Sequence, residues 1–85
     1  MSRKVFKYSL TESTVIKVPF GSKFVHFGVQ NDEFMVWLEV DEEFPMVERH
    51  LAVKGTGHLI PQFAEHLGSV ISDPFVWHLY ELPRK

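Results

Sequence analysis

The side chains best suited to proton transfer or metal binding in this 85-residue sequence are His26, His50, His58, His66 and His78. A zinc site normally announces itself by close pairs such as His-x-His or His-x-x-x-His on one element. No such pair occurs here, so a metal would need a site assembled from distant strands, such as His50, His58 and His78 with a carboxylate. There is no cysteine, which removes disulfides, thiolate ligands and a cysteine nucleophile. Ser9, Ser13, Ser22, Ser69 and Ser72 sit in ordinary strand or turn contexts, and no Gly-x-Ser-x-Gly elbow surrounds any of them. Glu39 and Glu81 end apolar runs, where they either approach each other or face water. These residues argue against an enzyme and call for no cofactor and no metal.

One stretch, "VKGTGHLIP" at Val53–Pro61, has the look of a ligand loop. A phosphate cradle needs a longer glycine spacing and an immediate helix, so that backbone N–H groups converge on the anion. Here Lys54 precedes the glycines and no lysine follows. The simpler reading is a bend at a strand end, with Gly55 or Gly57 at positive φ and His58 bonded to nearby backbone. The other is a recognition loop in which Lys54, Thr56, Gly57 and His58 meet a ligand beside Trp77 and His78.

Strands must position all of these residues. Short apolar runs alternate with turn signals throughout the chain. The expected strands are Lys4–Leu10, Thr14–Phe20, Phe24–Gln30, Glu33–Asp41, Val47–Gly55, Ser69–Ser72 and Phe75–Leu82. Glu33–Asp41 is apolar at nearly every position, as a central strand covered on both faces would be. The polar "QNDE" before it predicts a hairpin. In "IPQFAEHLG", Ile60–Gly68, an early proline and a closing glycine predict one or two helical turns, with Phe63, Ala64 and Leu67 on one face. The tail "PRK" is expected to fray. The connections are too short for parallel crossovers throughout. The fold class is therefore all-β and mainly antiparallel, a small sandwich or barrel of about seven strands with one short helix, forming a single domain over 1–85.

A formal net charge of −2 argues against nucleic acid, whose binders normally carry a basic excess. No run approaches membrane-spanning length, and the N-terminal stretch lacks a signal-length apolar core. A small domain without disulfide staples suits a reducing interior, so the expected location is cytoplasmic.

Five fragments in order, "VFKY", "VPFG", "VWLEVD", "GTGH" and "VWHLYE", resemble a family of small phage and prophage proteins classed as a domain of unknown function. The stretch "HLGSVIS" departs from its pattern, with Leu67 where an aromatic is expected before the glycine. The resemblance implies a phage-associated accessory protein and brings no catalytic residues.

Aromatic residues form 14% of the chain, more apolar surface than a core this small needs. The surplus points first to binding a host protein. The alternatives are sequestration of a small nucleotide-like ligand and, third, a metal-dependent enzyme. A thin stability margin further suggests a homodimer paired through Met35, Trp37, Trp77 or Tyr80.

Overall fold

Residues 2–83 are described by a computed structural model. Arg84 and Lys85 of the tail expected to fray lie outside the described residues. Seven strands run in chain order: β1 (Arg3–Leu10), β2 (Ser13–Pro19), β3 (Lys23–Gln30), β4 (Glu33–Asp41), β5 (Met46–Gly55), β6 (Glu65–Ser72) and β7 (Phe75–Leu82). They form two sheets, β1-β4-β3 and β2-β5-β7-β6, in which every pairing is antiparallel. The architecture is a β-sandwich, which decides between the two arrangements left open by strand count alone.

Strand alternation builds the core. Val36, Leu38 and Val40 of β4 and Phe27 of β3 face Ile16, Val18, Leu51, Val53 and Leu79 of the other sheet, and all are buried. β4 is the middle strand of its sheet. Its outward-facing Met35 is also buried, at 9% exposure, while Trp37 is half-buried. The pairing register explains this. Lys7 and Gln30 flank β4 on either side of Met35's row, and Lys7 Nζ donates to Gln30 Oε1 at 2.6 Å.

The β3–β4 connection is the two-residue hairpin the sequence predicts. Asn31 and Asp32 take φ of 53° and 64° between the paired Gln30 and Glu33. Two successive positive φ values match the twist of the flanking strands.

The predicted helix does not form among the described residues. Leu67 and Gly68 belong to β6, where Gly68 pairs with Leu79 of β7 and Leu67 is the bulge beside it. Upstream, Phe63 has a φ of 68°, outside the helical region, and the Ala64 N–H closes a turn onto the Pro61 carbonyl at 3.1 Å. The local i, i+1, i+4 spacing is therefore overridden by strand pairing along β7. Gly68 is needed for packing, since a Cβ there would lie 2.8 Å from the Phe24 ring of β3.

The β5–β6 connection, Thr56–Ala64, passes β7 to reach its far side. In register its ends are separated by the four residues from Trp77 to Glu81 along β7 and by two strand spacings across the sheet. That distance is about 16 Å. Nine residues can span about 30 Å. The slack chain stands out in solvent, and Thr56 to Phe63 are all exposed.

Candidate functional site

The "GTGH" segment closes β5 in a tight turn. The His58 N–H bonds the Gly55 carbonyl at 3.1 Å, and Gly57 between them has φ of 92°. His58 Nδ1 accepts the Gly55 N–H at 3.0 Å, so its ring is committed to the backbone of its own turn. The ring also meets Trp77 edge-on at 6.4 Å. The geometry is that of the bend reading, with Gly57 as its positive-φ residue.

The six residues singled out as ligand contacts fall on two sides of the sheet. Trp77 faces inward, with Gly55 opposite it and His58 against its ring. Lys54, Thr56 and His78 face outward. The inward group borders a cleft of about 170 Å³ lined by Glu12, Phe34, Val53, Lys54, His58 and Trp77. Phe34 meets Trp77 edge-on at 5.3 Å there. Pockets for drug-sized ligands are about 300–1,000 Å³. This cleft is smaller than that range and of a size to hold a single ring.

Thr56 and His78 belong to a hydrogen-bonded chain that residue order alone does not reveal. Thr56 Oγ1 lies 3.0 Å from His78 Nε2, and His78 Nδ1 lies 2.7 Å from Ser69 Oγ. Ser69 Oγ lies in turn 2.9 Å from His66 Nε2. The His66 ring packs on Tyr80 at 5.2 Å. Register brings these together: Ser69 is paired with His78 and His66 with Tyr80, all on the outer face of the four-stranded sheet. A second, isolated imidazole–hydroxyl pair, Ser13 Oγ to His50 Nε2 at 2.6 Å, lies further across the same face. The only sequence signal for this chain was strand alternation, and it needed the β6–β7 register to be useful.

His50, His58 and His78 do not converge. Each is engaged separately, and among the described residues no group of three His, Asp or Glu side chains is placed to hold a metal ion. Nor do Glu39 and Glu81 meet. Glu39 takes a bond from Arg3 at 3.0 Å on the outer face of the three-stranded sheet. Glu81 lies on the inner face of the other sheet and pairs with Arg49 through two bonds, Nε to Oε2 at 2.7 Å and Nη2 to Oε1 at 2.6 Å. Arg49 Nη1 also donates to the Ser22 carbonyl. The hydrogen bonds that it donates to Glu81 hold the Arg49 guanidinium above its ordinary pKa, against the opposing effect of burial.

The residues suggested as a dimer interface are also divided. Met35 and Trp37 lie on the outer face of the three-stranded sheet, with His26 tilted against Trp37 at 5.3 Å. Tyr80 lies on the outer face of the other sheet. Trp77 packs against the core between them.

The most exposed large apolar side chains lie on the β5–β6 crossover. Leu59 is 91% exposed and Phe63 80%. Phe63 combines this exposure with a left-handed backbone, an arrangement that is an outlier for a bulky residue. It borders a shallow cleft with Glu65, Glu81, Leu82 and Pro83, so the crossover lands beside the Arg49–Glu81 pair.

The chain belongs to the family described as Domain of unknown function (DUF7352). The family model matches residues 1–85, the length of the chain. No curated protein and no solved structure matches it. Membership of a family of unknown function is what the five quoted fragments implied. No helix among the described residues is long and apolar enough to cross a membrane.

Proposed function

We propose that this is a phage or prophage accessory protein that binds a host protein in the cytoplasm, with the β5–β6 crossover as its contact element. One observation carries the reading: Leu59 and Phe63 project into solvent from a slack loop while the core beneath is already closed. Apolar side chains that add nothing to their own core are the usual anchors of a protein interface. Held backbone strain at such a side chain points the same way, because strain persists where function uses it.

The test is capture of a stoichiometric partner from host lysate by the tagged protein and by Leu59→Ser/Phe63→Ser. The reading expects one partner with the native chain and its loss with the double variant, at unchanged thermal stability. Capture that survives both substitutions would move the interface elsewhere.

A second reading keeps a small ligand. The Trp77–Phe34 cleft favours one flat ring, stacked on the aromatic pair, over a nucleotide. Flat thermal-shift curves across single-ring carboxylates and nucleobases would remove it.

A further inference from the structure

The hydrogen-bonded chain on the four-stranded sheet has a direction. A neutral imidazole has one N–H donor and one acceptor, and a hydroxyl has one proton. The Thr56 hydroxyl also reaches the Val76 carbonyl at 3.3 Å, and a carbonyl can only accept. One assignment that satisfies every member uses that bond. Thr56 donates to Val76 and accepts from His78 Nε2–H. His78 Nδ1 is left as an acceptor and takes the Ser69 proton. Ser69 Oγ receives the His66 Nε2–H. Reversing the direction exchanges the two histidines and still leaves Ser69 between one imidazole acceptor and one imidazole donor.

We propose that Ser69 is a reactive hydroxyl that accepts an acyl group from an activated carboxylic ester or thioester, with His78 as its base and Thr56 as the residue that positions His78. The arrangement repeats the logic of an activated nucleophile: hydroxyl and base within bonding reach, and the base oriented by a third group. It goes beyond the binding reading and does not depend on it.

The step balances without a redox partner. Ser69 Oγ attacks the acyl carbon while its proton passes to His78 Nδ1. The Thr56 oxygen stabilises the resulting imidazolium through Nε2–H, and His66 Nε2–H stabilises the serine oxygen as it loses its proton. The tetrahedral carbon then expels the leaving oxygen or sulfur, which takes the proton from His78 and departs as alcohol or thiol. One C–O or C–S bond is exchanged for the new serine ester, and His78 returns to its neutral form.

Access is open. β6 is an edge strand, and Ser69 and His66 are exposed. On the same face, one row along, Ile71 pairs with Val76, which gives the acyl chain an apolar seat.

The test is timed reaction of the intact protein with p-nitrophenyl acetate, followed by peptide mass spectrometry. Ser9, which bonds Glu33 on the other sheet, is the internal control. The expected result is acetylation of Ser69 at least ~tenfold faster than Ser9, slowed about a hundredfold by His78→Ala. Thr56→Val should slow it and Thr56→Ser restore it, a rescue that a merely structural threonine would not show. Thermal melts establish that each variant is folded. Acetylation of Ser69 no faster than Ser9 would overturn the proposal. So would loss with His66→Ala but not with His78→Ala.

Discussion

The β3–β4 hairpin and the β5–β6 crossover solve chain reversal in opposite ways. Both use residues other than glycine at positive φ. In the hairpin these are Asn31 and Asp32, short polar residues that tolerate the left-handed region, placed where strand twist demands it. The connection is two residues long and closes at once onto the Gln30–Glu33 pair. The crossover has nine residues where about half that reach would serve, and its left-handed residue beside the turn onto β6 is Phe63. A phenylalanine there costs about 1–2 kcal/mol of backbone strain and gains little burial in return. The difference teaches where to look for function. The hairpin is shaped by the fold, and the crossover carries features that the fold does not need.

Five substitutions press on that contrast. The largest effect concerns the landing of the crossover beside Arg49 and Glu81, whose side chains are only 17% and 18% exposed. Glu81→Ala strands a partly buried guanidinium and should cost about 3 kcal/mol in urea denaturation. Glu39→Ala, which removes an exposed pair with Arg3, should cost no more than about 0.5 kcal/mol. Equal costs would mean that the landing is not specially anchored.

Gly57→Ala comes next. Nothing lies within 4 Å of the added Cβ, so any cost is purely the strain of φ 92°. A loss of more than ~1 kcal/mol is expected, and an unchanged denaturation midpoint would show that the take-off turn tolerates a side chain. Phe63→Asn should act in the other direction, raising stability by about 0.5–1 kcal/mol while abolishing partner capture. A destabilised Phe63→Asn protein would make Phe63 a structural residue and remove the argument from strain. The smallest effect belongs to the hairpin, where Asp32→Gly supplies the preferred Asn-Gly turn and should add about 0.3 kcal/mol by thermal melt.

Much of this frame could be read from residue order. The unbroken apolar run Phe34–Leu38 marked a central strand, "QNDE" marked a hairpin, and Gly57 marked a bend. The segment Ile60–Gly68 could not be read in the same way. Its spacing is helical, yet Glu65–Gly68 gains more by completing the edge of a four-stranded sheet along β7, a partner that local sequence does not reveal. The same blindness hid the Thr56–His78–Ser69–His66 chain. Each member looks ordinary within its own strand, and only the register places two imidazoles on one hydroxyl. It also hid Arg49 and Glu81, which share the inner face although 32 residues separate them.

The most direct measurement is site-specific photo-crosslinking in host cells, with a benzophenone side chain placed at Phe63 in one protein and at Asp32 in another. Both positions are exposed on connections between strands, so they differ in role rather than in access. The account predicts one dominant crosslinked host protein from position 63 and none from position 32. The same adduct from both positions, or from position 32 alone, would contradict the crossover as the contact element.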